Sequence, residues 1–403
     1  MRGISETDVG ASGLAHVDSV TATALERALA GVPINDGEAL HLLSGPPASL
    51  APLLAVAGHL RDRHKGRTVT YSPKVFLPIT NLCRDRCGYC TFRKNPDDPG
   101  AWTMLPEEVR AITRQAQSVG CIEALMCLGD KPERAFRAYR RTLQVLGHET
   151  TIEYVERCCR IALDEGLLPH TNAGLMTREE MQQLKPVNVS LGLMLENVSP
   201  RLRQPGQAHH HAPDKEPALR LRMLREAGEL QIPFTTGILL GIGETLAERI
   251  ASLRAIGELH AAYDHIQEII IQNFRAKPTT LMAPAPEPER EDIARTVAVA
   301  RLMLPDMNIQ VPPNLNPYDL RLFLAAGVND WGGISPVTRD FVNPEAPWPQ
   351  LSVLASTCRA EGFQLTPRLP IYAEYVDRAG FLHADLAHAV ASVSAQRGVA
   401  HAL

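Results

Sequence analysis

Eight short apolar runs, most of them separated by longer helical stretches, dominate the chain from Lys74 onward. They read KVFLPIT (74–80), CIEALMCLG (121–129), LPHTNAGLM (168–176), VNVSLGL (187–193), PFTTGILLGIG (233–243), HIQEIIIQNF (265–274), MNIQVPP (307–313) and GVNDWGG (327–333). Amphipathic segments lie between them. PEEVRAITRQAQSVG (106–120) has acids in its first turn and glycine at its end, and TLAERIASLRAIGELHAAY (245–263) keeps helical spacing throughout. Strand and helix alternating eight times predict an α/β chain whose parallel sheet closes into a (β/α)8 barrel of the TIM type. A doubly wound open sheet is the competing architecture. No repeat with a shared motif emerges beyond the alternation itself.

The flanks read differently. Residues 1–70 divide into a polar, frayed tail over 1–15 and an N-terminal helical lead-in, with apolar residues at helical spacing in TATALERALAG, GEALHLLSG and SLAPLLAVAGHLRDRH. The barrel is expected over 71–350. Residues 351–403, with QLSVLASTCRAEGF and YAEYVDRAGF, read as a C-terminal helical segment packed on it. The polar stretch RQPGQAHHHAPDKEP (203–217) is long for a connection between a barrel strand and its helix, and long loops at the strands' carboxyl ends often serve function.

Charge narrows the function classes. With 41 basic and 45 acidic side chains the net charge is −4, which argues against a nucleic-acid partner. No apolar run is long enough to cross a membrane, and MRGISETDVGASG lacks the sections of a secretory signal, so a cytoplasmic protein with no membrane partner is expected. Eight cysteines in a chain of this size are not a disulfide framework.

Three of those cysteines fall within CRDRCGYC (83–90), just past the carboxyl end of the first expected strand, where barrel enzymes keep their chemistry. A structural zinc ion wants four protein ligands, and so does an electron-transfer iron–sulfur cluster. Cys121 and Cys127 fall on one face of an expected buried strand, where cysteine serves as a small hydrophobe. Cys158 and Cys159 sit on a helix and Cys358 in the tail. No local fourth ligand exists. Three thiolates on a four-iron cluster leave one iron open to a ligand.

CRDRCGYC resembles the signature of radical S-adenosylmethionine enzymes. The resemblance implies that Cys83, Cys87 and Cys90 hold one [4Fe–4S] cluster. Its open iron takes S-adenosyl-L-methionine, which it cleaves to a 5′-deoxyadenosyl radical. Tyr89 matches the family's aromatic beside the cluster; an ordinary packing role is the other reading. LGDKPE (128–133) partly matches the stretch that holds the methionyl ammonium, with Gly129 present and Asp130 where the family has an acid; a plain turn with an acidic cap is the alternative. GILLGIGET (237–245) is no dinucleotide fingerprint, because Leu246 stands where the third glycine belongs. It resembles the family's adenine-edge segment, with Gly241 and Gly243 bare of side chains. Glu244 holds that turn, caps the next helix or meets the ligand. Ser190 and Glu196 are candidates for ribose or substrate, with inward packing an equal alternative for Ser190. Asn273 and Arg275 are placed to reach the same mouth. His209, His210 and His211, consecutive in a loop, are poorly arranged for one metal.

The resemblance is wider than one motif. YSPKVFLPITNLCRDRCGYCTF, PDKEPALRLRML, FTTGILLGIGET, IIIQNFRAKP and DWGGISPVTRDFVNPEAPWP together resemble the deazaflavin-precursor synthases, from about residue 70 to about residue 380. This implies a radical lyase and cyclase that closes a tyrosine-derived, ribityl-bearing pyrimidine to a deazaflavin with loss of ammonia. It further implies a separate tyrosine-coupling radical enzyme that supplies this small-molecule substrate, and a low-potential electron donor. The coupling enzyme itself, a menaquinone-pathway relative and a structural zinc protein are the alternatives. Asn188, Glu196, Arg275 and Asp340 are polar residues near strand ends; no base for deprotonation stands out.

Overall fold

The computed structural model describes residues 17–398, so the tail read over 1–15 lies outside the described residues. Nine strands form one sheet: β1 (Thr68–Pro78), β2 (Glu123–Cys127), β3 (Leu168–Asn172), β4 (Ser190–Gly192), β5 (Phe234–Leu240), β6 (Ile266–Asn273), β7 (Ile309–Gln310), β8 (Asp330–Ile334) and β9 (Gln364–Pro367). β1 to β8 pair in chain order, all parallel, and β1 bonds to both β2 and β8. That second pairing closes the barrel and removes the open-sheet alternative. Each of the eight apolar runs overlaps one strand.

Strand lengths follow local chemistry. β1 starts at Thr68, ahead of the apolar run that reveals it, because TVTYS alternates polar and apolar residues. β7 is two residues long, since Pro312 and Pro313 follow after Val311 and offer no N–H to a ladder. Threonine–glutamate capping boxes start three of the crossover helices: Thr150 with Glu153, Thr177 with Glu180, and Thr245 with Glu248.

The lead-in forms the expected helices, Ser19–Leu29, Asp36–Leu43 and Leu50–Lys65. Leu25, Leu42, Leu53 and Leu60 are buried with Val297 and Leu302 of the helix Arg290–Met303 in one apolar cluster. Each buried leucine there contributes about 1.5–3 kcal/mol. No single helix among the described residues is long and apolar enough to cross a membrane.

The C-terminal segment departs from the all-helical expectation. Helices Leu351–Ala360 and Ala387–Arg397 are present, but YAEYVDRAGF keeps only the short helix Ala373–Val376. Between the first two lies β9, paired with Thr68–Tyr71 along the edge of β1 that β2 takes up from Lys74. Its residues are half-buried or exposed, so no apolar run announced it.

Candidate active site

The cysteine loop leaves β1 and is tied down by its neighbours' backbones. The Gly129 N–H donates to Thr80 O at 3.0 Å, Arg84 N–H to Asp130 O at 3.0 Å, Arg86 N–H to His211 O at 2.9 Å and Gly88 N–H to Ala208 O at 2.7 Å. Met282 N–H returns a bond to Gly88 O at 3.0 Å. Loops after β2, β4 and β6 thus fix the segment that carries the thiols.

Cys83 is buried, while Cys87 and Cys90 are half-buried. The Asp130 N–H donates to Cys83 Sγ at 3.1 Å. Burial pushes the Cys83 thiol well up and the Cys87 thiol up to about 12. Thiols placed so dryly give up their protons to a group that brings positive charge, as an iron cluster does. Among the described residues, the three-ligand group tight enough for a single ion is Asp85, Asp130 and Asp214, with donor atoms within 4.8 Å of one another. The three thiols are not such a group, which suits a multi-iron cluster better than a lone zinc.

Gly129 and Asp130 stand against the cysteines. A Cβ on Gly129 would fall 2.0 Å from Leu82 O and 2.6 Å from Cys83 Cβ, so any side chain would displace the loop. Asp130 is buried; its Oδ2 accepts from Leu175 N–H at 3.0 Å, and its Oδ1 has no partner. Burial, then the neighbouring Asp214 and Asp85, push its carboxyl up to about 7. Arg84 forks onto Asp214, with Nε to Oδ2 at 2.8 Å, so that acid already has its cation. An unpaired buried carboxylate oxygen beside further acids is a seat for a cationic donor.

Tyr89 stands edge-on to His209, the ring centroids 5.7 Å apart and the hydroxyl 3.1 Å from Nε2. Burial pushes His209 down to about 3, so it is neutral. The His210 and His211 rings lie 4.2 Å apart at a tilt of 53°, and among the described residues the three histidines form no group tight enough for one ion. Glu196 holds a left-handed backbone, φ 64°, and pairs with Lys215. Burial raises its carboxyl, but Lys215 and Arg220 outweigh that and hold it below the usual range.

Gly241 and Gly243 form the turn after β5, with φ of 87° and 97°. Glu244 holds that turn: it accepts from Gly241 and Ile242 N–H, each at 2.9 Å, and from Arg249 Nε at 2.7 Å. The helix cap belongs to Thr245 and Glu248. Ser190 lies apart from the mouth, fully buried, donating to Pro370 O at 2.5 Å and lying 2.6 Å from His170 Nδ1. Asn188 also lies apart, with its side chain on Thr171 and the Leu184 carbonyl.

One cavity of about 300 Å³ runs down the barrel axis. Tyr89, Cys90, Glu196, Asn273, Arg275 and Asp340 line its mouth, and Phe76, Leu125, Ile270 and Trp331 its middle. Cys127 faces this space too, rather than packing as a core hydrophobe. Its floor was not foreseen. Lys74, Glu123, His170, Glu268 and Gln310 enter it from five strands, and Arg368 rises from beyond β9. Arg368 donates to Asp330 Oδ2 at 2.6 Å and to Glu268 Oε2 at 2.9 Å, while Ser72 bonds Glu123. The available signal was a polar residue at the inward register of an apolar strand. In IQEIIIQN, Glu268 and Gln272 alternate with Ile269 and Ile271.

Comparison with known proteins agrees with this geometry. Residues 77–256 match the Radical SAM superfamily. The chain is 48% identical over 333 residues to the 7,8-didemethyl-8-hydroxy-5-deazariboflavin synthase of Methanopyrus kandleri, covering 82% of this chain and 99% of that protein. It is 48% identical over 367 residues to the FO synthase of Streptomyces coelicolor, of which it spans only 42%. Among solved structures, the hydrogenase maturase HydG of Carboxydothermus hydrogenoformans superposes with a TM-score of 0.69 at 17% identity, over 87% of this chain and 79% of that one. Methylornithine synthase gives 0.67 at 19%, over 85% and 97%. Those two likenesses speak for the fold alone.

Proposed function

We propose a function from one premise: the chain belongs to the radical SAM superfamily and, within it, to the 7,8-didemethyl-8-hydroxy-5-deazariboflavin synthases. It converts 5-amino-5-(4-hydroxybenzyl)-6-(D-ribitylimino)-5,6-dihydrouracil to the deazaflavin FO, with loss of ammonia. The observation that carries this reading is the 48% identity across 99% of the Methanopyrus synthase. When bound, a [4Fe–4S] cluster with S-adenosylmethionine at its open iron supplies the 5′-deoxyadenosyl radical that takes a hydrogen atom from the substrate.

The chain's own residues bind, orient and shield. Cys83, Cys87 and Cys90 are the cluster ligands in this reading, and Tyr89, held by His209, covers them. Asp130 Oδ1 accepts the methionyl ammonium, which supplies the cation that this oxygen lacks. Gly129 lets the strand end close onto the cysteine loop, and the Gly241–Gly243 turn offers bare backbone to the adenine edge. Glu196 sits at the cavity mouth with its charge balanced by Lys215. The loop over 203–217, bonded to the cysteine loop, keeps water from the radical. In the same reading the barrel unit is 71–350, with 1–70 and 351–403 as its flanking segments. A separate coupling enzyme supplies the substrate and a low-potential donor the electron, in the reducing cytoplasm.

The test is anaerobic reconstitution, then incubation with S-adenosylmethionine, a reductant and the coupled intermediate. Fluorescent deazaflavin is expected. Tyrosine consumption without deazaflavin would reassign the chain to the coupling step. A colourless zinc-loaded protein would end the radical reading.

A further inference from the structure

The floor of the cavity carries polar groups that have no partner among the described residues. Ser190 Oγ has one proton and donates it to Pro370 O at 2.5 Å. The 2.6 Å bond between Ser190 Oγ and His170 Nδ1 therefore takes its proton from the imidazole. His170 is thus the Nδ1–H tautomer, and its Nε2 presents a bare lone pair to the cavity. Burial pushes His170 down to about 4, which keeps it neutral. Gly192 clears the space: a Cβ there would fall 3.0 Å from that Nε2.

Two donors line the same cavity as this acceptor. Lys74 Nζ makes no hydrogen bond or ion pair among the described residues, and lies 5.2 Å from the ring centroid of Trp348. The Gln310 side chain likewise makes no hydrogen bond among the described residues. Both lie across glycines of β8. A Cβ on Gly333 would fall 2.1 Å from Lys74 Cδ, and one on Gly332 2.1 Å from Gln310 Nε2. In the same cavity Glu268 Oε1 is buried without a partner among the described residues. Acceptors and donors from separate strands thus line the end of the cavity that Arg368 and Pro370 border.

We infer that this end seats the ribityl chain of the substrate, with His170 Nε2 accepting from one hydroxyl and Lys74 and Gln310 donating to others. The inference rests on the function proposed above. Three features of the chemistry select this end of the substrate. A phenol brings a single hydroxyl, and a pyrimidine brings a fixed in-plane pattern. A polyol brings several groups that each donate and accept, which a mixed set of this kind requires. The bonds that form and break lie in the benzyl and pyrimidine parts, which must stay near Tyr89 and Cys90. The unreacting chain is the part free to hang down the barrel. The floor then acts as a depth stop that sets which carbon faces the mouth.

The experiment compares two ligands on anaerobically reconstituted protein with S-adenosylmethionine: FO, and its analogue with methyl in place of ribityl. Fluorescence titration of wild type should favour FO by about tenfold or more, as two or three hydrogen bonds allow. His170→Phe and Lys74→Met should each erase most of that preference and leave methyl-analogue binding within about twofold. His170→Gln, which keeps an acceptor, should restore part of it. Equal loss of both ligands would mean the floor only braces the barrel, and would overturn the subsite. So would a wild type that forms FO yet binds both ligands alike, with the function intact. A wild type that neither forms nor binds a deazaflavin would take down the function and the subsite together.

Discussion

The two ends of the barrel cavity solve opposite electrostatic problems. Above the mouth, beside the cysteine loop, Asp130 keeps a buried carboxylate oxygen unpaired near Asp85 and Asp214. At the floor, Arg368 binds Asp330 and Glu268 from inside the protein. The mouth is incomplete without an outside cation, whereas the floor supplies most of its own. A charge left open invites a cofactor, and a charge closed internally holds strands together. Substitution should therefore silence the mouth without unfolding the chain, and loosen the floor without touching the cluster.

The sharpest separation is Cys83→Ala. Cluster iron and sulfide and deazaflavin formation should fall to background, while the far-ultraviolet circular dichroism of the purified chain stays that of wild type. Arg368→Met should do the reverse. It strands Asp330, and losing one partner of a buried pair costs about 3–5 kcal/mol. Chemical denaturation should show that loss, with iron binding retained.

Asp130→Asn tests the open charge. A hydrogen bond to a charged group is worth about 1.5–3 kcal/mol, so S-adenosylmethionine should bind roughly ten- to a hundredfold more weakly, read by titration. An unchanged affinity would place the ammonium elsewhere. Glu268 gives a pH signature to the floor. Burial outweighs Arg368, and Asp330 adds to it, pushing the Glu268 carboxyl up to about 8 from an ordinary 4.5. The folded chain then holds a proton the unfolded chain has lost. The stability this contributes is full below about pH 4.5 and is lost as pH rises through about 8. Glu268→Gln should remove that decline when denaturation midpoints are compared across the range. The smallest effect belongs to His209→Phe, which removes one bond to Tyr89 and should cost about 1 kcal/mol, a few-fold in turnover.

The same contrast explains what sequence could disclose. The mouth is written locally: three thiols within CRDRCGYC, and an acid beside a glycine in LGDKPE, each contiguous and each at a strand's end. The floor is assembled from Lys74, Glu123, His170, Glu268 and Gln310, one residue per strand, joined by Arg368. No stretch of chain contains it, and only inward register on a closed barrel brings it together. Ser190 shows the converse error. Its strand was legible, yet its position along the barrel was not, and its hydroxyl meets Pro370 of a distant segment. β9 was illegible for a third reason, because its four residues pair by backbone and bury little.

Thr68 and Gln364 are neighbours in the sheet yet about 300 residues apart in the chain. A ribosome making this protein releases the first of them long before the second exists. Until then the lower edge of β1 offers unpaired amides and carbonyls to any passing strand. That edge is therefore covered only after all eight barrel strands have been made. A nascent chain stalled before Gln364 would be a sticky intermediate that a chaperone has to shelter.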